Sequence, residues 1–215
     1  VITKKMATCQ ATQNIITLKG STEIVTEFFQ FCINSILYQR GIYAPETFER
    51  QSKYGLAMMV SKDEKLQQYL SQILTQLDEW LMKGEVKQLV VVVHGVESSE
   101  TLERWVFNVE TTEDKENGGI MQQQDKKSRK EIHNEIAALL RQITATVTFL
   151  PLLDEACAFD LLIYTDRDSV VPVQWEESDP RLIQNAADVR LRSFGTNIHK
   201  VETSVAYRDV DDYDV

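Results

Sequence analysis

Histidines, cysteines and paired carboxylates are the side chains most able to do chemistry, and here they are scattered. His94, His133 and His199 fall on three different expected elements. None has a cysteine or carboxylate at metal-ligand spacing, so ordinary core or surface histidines are expected, with no metal or other cofactor. Cys9, Cys32 and Cys157 are odd in number and far apart, two of them in apolar stretches, as are buried free thiols of a reducing compartment. Cys32, between Phe31 and Ile33, lacks the basic neighbour that would activate it as a nucleophile. Asp166-Arg167-Asp168 supplies two carboxylates against the roughly six to eight oxygens that a hard cation takes, and reads as a charged turn. A glycine-rich phosphate loop, a zinc-protease helix motif, a nucleophile elbow and a kinase signature set are all missing. A small hydrolase built on His199 and Ser204 has only residue type behind it, so a non-enzymatic protein is expected.

The elements that would position these residues are easier to read. Gly20-Ser21 opens a helix to about Arg40, with Ser21 as expected cap, Glu23 favourable to the dipole and Gly41 as stop. Its apolar residues, from Ile24, Val25, Phe28 and Phe29 through Ile33 to Leu37, cover almost the whole circumference, so it is expected at the centre. A second helix starts from the pattern Ser61-Lys62-Asp63-Glu64 and carries Leu66, Leu70, Ile73, Leu77 and Trp80 on one face before Gly84. A third starts from Ser128-Arg129-Lys130-Glu131, with Ile132, Ile136, Leu139, Leu140 and Ile143 inward, and ends before Pro151.

Residues 86–96 read as an interior strand and 102–110 as its hairpin partner, with Trp105, Phe107 and Val109 on one side. Residues 54–61 suggest a short strand, and 157–165 a strand with Phe159, Leu161 and Ile163 on one face and Leu162 and Tyr164 on the other. Residues 166–188, with Pro172 and Pro180, have no period; structureless stretches of that length tend to be functional. Trp80 and Trp105 are expected in the core, whereas Trp175, in that acidic segment, stays open between local packing and partner contact. A hairpin follows: 189–192, a turn around Gly195-Thr196-Asn197, and 198–207. Residues 1–17 are expected to form a flexible leader, 111–127 a surface loop and 209–215 an acidic tail.

Composition limits the partners. Lys plus Arg total 23 against 33 Asp plus Glu, a formal charge of −10 over 215 residues, so nucleic acid is not an expected partner. No apolar run approaches the roughly 18 residues of a membrane helix, and no membrane partner is expected.

Several long runs carry a resemblance: Glu27-Phe28-Phe29 and Asn34-Ser35-Ile36-Leu37-Tyr38-Gln39-Arg40-Gly41-Ile42-Tyr43; Leu102-Glu103-Arg104-Trp105; Arg141 through Leu153; Phe159 through Asp166; Trp175-Glu176-Glu177-Ser178; and Val189 through Phe194 with Ile198-His199-Lys200-Val201. Across about residues 18–208 the chain resembles the HORMA family, in particular its spindle-checkpoint members. The resemblance implies an α+β fold: three helices on a central antiparallel sheet, with a mobile C-terminal β-hairpin "safety belt" over about 166–208. In an open arrangement the belt docks on the edge strand; in a closed one it crosses the sheet and encircles a short partner peptide.

By the same resemblance the peptide pairs with Ala158, Phe159, Asp160, Leu161, Leu162, Ile163 and Tyr164. The belt contributes Trp175, Val189, Leu191, Phe194, Ile198, His199, Val201, Val205 and Tyr207, with 189–207 closing over the peptide. An open copy and a closed copy would form a homodimer through Arg141, Gln142 and Phe149. Implied partners are the kinetochore checkpoint scaffold (mitotic arrest deficient protein one), the activator of the anaphase-promoting complex, the kinase-like subunit of the mitotic checkpoint complex, and a remodelling AAA+ ATPase with its HORMA adaptor. The implied role is inhibition of that ubiquitin ligase, in nucleus and cytoplasm and at kinetochore and spindle. A HORMA adaptor of DNA repair or of meiotic chromosome axes is the alternative.

Overall fold

The first helix starts earlier than its sequence suggests. A computed structural model describes residues 16–112, 127–166, 168–173 and 175–208. In it α1 spans Leu18–Gln39, and the Thr17 side chain, not that of Ser21, accepts the capping hydrogen bond from the Gly20 amide at 3.2 Å. Ser21 lies a turn further in and is fully buried, so its hydroxyl is free for another use. Ile16 is buried as well, so the fold takes in the last two residues of the expected leader. The rest of that leader with Cys9, residues 113–126 of the expected loop, and the acidic tail lie outside the described residues.

Burial runs around α1 as its sequence implies: Val25, Phe28, Phe29, Cys32, Ile33, Ile36 and Leu37 are all at 0% exposure, and the helix packs against α2 (Glu64–Met82), α3 (Arg129–Thr146) and β2 (Leu56–Ser61). Gly41 takes a φ of +65° just past the helix, the left-handed turn that an L side chain resists. The start of α2 also differs from expectation. Ser61 is held as the last residue of β2, its amide bonded to Asn34 Oδ1 at 2.9 Å, so Asp63 is the cap and accepts from Leu66 N at 2.8 Å. At α3 the expected capping box forms between Ser128 and Glu131. β2 has a partner that its polar sequence hid, β1 (Phe48–Lys53), joined to it through Tyr54 and Gly55, both at positive φ as a two-residue hairpin turn requires.

The main sheet is antiparallel and runs in the order β5-β3-β4-β7-β6, where β3 is Val86–Gly95, β4 Thr101–Thr111, β5 Cys157–Thr165, β6 Ala186–Gly195 and β7 His199–Arg208. Leu89, Val91, Trp105, Phe107, Leu161, Phe194, Val201 and Val205 join the α1 residues in one core. Phe28 of α1 meets Phe107 of β4 at 6.0 Å and Phe194 of β6 at 4.7 Å, both edge-on. A buried ion pair ties three parts together. Arg40 lies 2.5 Å from Glu103 of β4 and donates to the Pro151 carbonyl, while Trp105 Nε1 donates to Glu103. Burial still holds the Glu103 carboxyl above its usual range, against the lowering influence of Arg40.

Candidate functional site

Strand β5 pairs with β3 along its full length, from Gly95↔Cys157 to Val86↔Thr165, and among the described residues no strand pairs with its other margin. A row of main-chain donors and acceptors is thereby left for an added strand. Leu161 is buried, and Phe159 and Ile163 pack on the core. Phe159 sits against Tyr43 at 6.3 Å and Tyr69 at 6.0 Å. Alternation then puts Asp160, Leu162 and Tyr164 on the other face, each partly exposed, as is Ala158 at the strand's start.

The chain leaves β5 at Thr165 and does not run straight to β6. Asp166 is held by its amide to the Glu85 carbonyl at 3.1 Å and by an ion pair with Lys87 at 3.1 Å. The segment then meets the end of α2, where Trp175 packs edge-on against Trp80 at 5.1 Å and Trp80 Nε1 donates to the Val170 carbonyl. Further on, Arg181 reaches Asp160 at 3.5 Å. Between this segment, β5 and α2 runs a groove of about 1410 Å³ lined by Tyr69, Ile73, Trp80, Leu162, Trp175 and Arg181, among others. Burial, reinforced by the nearby Asp160 carboxylate, pushes the Tyr69 phenol above its usual range.

The terminal hairpin docks on the far side of the sheet. β7 pairs with β4, from Glu103↔Tyr207 to Thr111↔His199, leaving β3 and β4 between it and the open margin. Phe194, His199, Val201 and Val205 are buried there, and Val189, Leu191 and Tyr207 pack on the core. Ile198 sits in the turn, its carbonyl accepting from Thr112 N. In this structure residues 189–207 do not lie over β5: residues 171–173, 175–178 and Arg181 line the groove beside it, while the hairpin pairs with β4 across the sheet.

One buried polar cluster holds the hairpin turn. Ser21 Oγ lies 2.7 Å from His199 Nδ1 and 2.6 Å from Thr196 Oγ1, which also accepts from the Ile198 and His199 amides. Glu135 of α3 and Lys127, just before that helix, add to this, Glu135 accepting from Gly195 N and Asn197 Oδ1 from Lys127 N. Burial holds the His199 imidazole below its usual range, with the Leu81 backbone acting in the opposite direction. The hydrolase arrangement is not built: His199 is spent on Ser21, and Ser204, five residues along β7, faces the opposite side of the sheet.

Cys32 is fully buried and its thiol is pushed well up; Cys157 is half-buried with its thiol raised by burial and then by Glu155, so neither is an activated nucleophile. No cluster of three or more potential metal ligands occurs among the described residues. At the end of α3, Arg141 is exposed, Phe149 is 51% exposed, and Gln142 accepts from the Arg192 amide of β6 at 2.7 Å, linking that surface to the docked hairpin.

Sequence reasoning missed Ser21 and Trp80 as parts of this machinery. A serine buried on a helix apolar all round is the signal that could have marked the first; for Trp80, placement at the helix end nearest the acidic segment gave none.

Comparison with known proteins agrees with this architecture. Residues 21–199 match the family model described as HORMA domain. The chain is 55% identical to "Mitotic spindle assembly checkpoint protein MAD2A" of Dictyostelium discoideum over 203 residues, covering 94% of this chain and 98% of that one. Among solved structures it is similar to a chain of "Crystal Structure of Mitotic Checkpoint Complex", with a TM-score of 0.80 and 46% identity over 88% of this chain and 99% of that chain. The fold is also similar to C. elegans HTP-2 bound to the HIM-3 closure motif, with a TM-score of 0.74 at 14% identity over 90% of this chain and 92% of that one.

Proposed function

Because the chain belongs to the HORMA-domain family, we propose that the open margin of β5 captures a short extended peptide of a partner, which the 166–185 segment then encloses. The protein is a spindle-assembly checkpoint adaptor, so its work lies in mitosis, at kinetochore and spindle. The single observation that carries the peptide reading is the unpaired β5 margin facing a groove whose outer wall is a segment anchored at both ends. A strand added there gains main-chain hydrogen bonds, and its alternate side chains meet the aromatic lining.

The hairpin on β4 corresponds to the closed arrangement, with the edge strand free for the ligand. Because the segment is fixed on either side of the groove, a peptide enters or leaves only after the hairpin or the segment detaches. Association is then limited by a refolding step and the bound state is long-lived. The ligands in this reading are peptides of the kinetochore scaffold and of the anaphase-promoting complex activator, and holding the activator keeps that ligase inactive. Arg141, Gln142 and Phe149 form the surface for an open copy. The kinase-like checkpoint subunit and the AAA+ remodeller with its adaptor are further partners, in nucleus and cytoplasm. No catalytic step is part of the proposal.

A test is to take a peptide that binds and remake it with single backbone N-methyl groups at successive positions. Strand pairing predicts loss of binding at alternate positions, because every second amide faces β5. Tolerance at all positions, or equal loss at all, refutes it.

A further inference from the structure

We propose that Arg181 and Asp160 form a clasp that fastens the 166–185 segment over the margin of β5 and so sets how long a captured strand is retained. The inference rests on reading that margin as a capture site. The segment's first fixed point is Asp166, bonded to Glu85 and Lys87 at the end of β5. Its middle is the Trp175 contact with Trp80. Its far point is Arg181, whose Nη2 lies 3.5 Å from Asp160 Oδ2.

Asp160 is only ~17 Å back along β5 from Thr165, at about 3.4 Å per residue. The chain from Asp166 to Arg181 could reach ~50 Å if extended. That slack is what a loop passing around a strand needs, and the ion pair closes the loop.

Two features mark Arg181 as placed for this. Its backbone adopts φ 52°, a left-handed conformation that few non-glycine residues take, and the Asp179 carboxylate accepts from its amide at 3.3 Å. The turn returns the chain toward the strand it left. The carboxylate it meets is oriented from the sheet side, since His94 Nε2 of β3 lies 3.3 Å from the same Asp160 Oδ2. The two side chains are 35% and 42% exposed, so the pair is open to solvent and ions. Such a contact is weak enough to open and close within the lifetime of a complex, and is worth about two- to five-fold in a rate.

The test uses the full chain and a short fluorescein-labelled peptide selected on it from a random phage-displayed library. Arg181→Ala and Asp160→Asn are each expected to release the peptide about two- to five-fold faster than the parent. Raising salt should speed release from the parent and leave both variants unchanged, because the screened pair is already gone. The reversed pair, Asp160→Arg with Arg181→Asp, should restore slow, salt-sensitive release. Parent-like release from the single variants, unchanged salt sensitivity, or a reversed pair as fast as the single variants overturns the clasp.

Amide exchange of residues 176–182 without peptide supplies an independent readout, with faster exchange expected in both single variants and equal exchange counting against the clasp. Should the parent capture no peptide, the capture reading fails, while this exchange comparison still decides the clasp.

Discussion

Replacing Ser21 with alanine should loosen the C-terminal hairpin and leave the helix that carries Ser21 intact. The hydroxyl makes no contribution to capping, which Thr17 performs, and alanine favours helix slightly more than serine does. Lost instead are its contacts with His199 Nδ1 at 2.7 Å and with Thr196 Oγ1 at 2.6 Å, between groups that are 0%, 0% and 9% exposed. Thr196 keeps the His199 carbonyl and two amides as partners, whereas the imidazole Nδ1 is left buried without one. One net hydrogen bond and one stranded polar atom together cost about 2 kcal/mol. At about 1.4 kcal/mol per decade, the detached hairpin should be ~30-fold more populated. Native-state amide exchange reads this directly: amides of β6 and β7 should exchange ~30-fold faster while those of α2 keep their parent rates. A uniform acceleration across all elements, or none anywhere, refutes the assignment of Ser21 as a lock on the hairpin.

Acid should act on the same lock. The buried His199 has its pKa lowered, so the docked hairpin holds the neutral ring and the detached one takes up the proton; the stability it contributes is present above about pH 6.5 and is lost as pH falls through the depressed value. Hairpin protection, corrected for intrinsic exchange, should therefore fall between pH 7 and pH 5.5 in the parent, and His199→Gln should flatten that dependence. Trp175→Ala removes an aromatic contact worth about 0.5–1.5 kcal/mol beyond its area, so peptide release should quicken roughly two- to ten-fold and Trp80 emission should shift red; unchanged release and emission contradict its place in the groove wall.

The pattern of side chains named the faces but not the neighbours. Phe28, Phe29, Ile33 and Leu37 made α1 central in the sequence and in the structure, because burial on every side demands apolar residues on every side. The alternation in 157–165 likewise set which residues of β5 turn inward. Which strand the last hairpin pairs with is decided by long-range packing, here Phe194 on Phe28, and nothing local in 189–207 encodes it. Ser21 and Ser61 were misread for a related reason: both suit a helix cap by type, but burial assigns one to His199 and β2 keeps the other. The β1 strand stayed hidden because only Phe48 of its six residues is buried. Of the candidate site, the β5 residues and Trp175 were legible, while Trp80, Arg181 and the polar lock depend on contacts across the fold.

Isotope-edited NMR on the labelled chain with an unlabelled bound peptide is the most direct test of strand capture. The expected result is a ladder of contacts between the peptide backbone and residues 157–165, new protection of alternate β5 amides, and the β4 to β7 pairing left intact. Contacts confined to the outer edge of β6 or to the helical face, with β5 amides unchanged, would contradict the account.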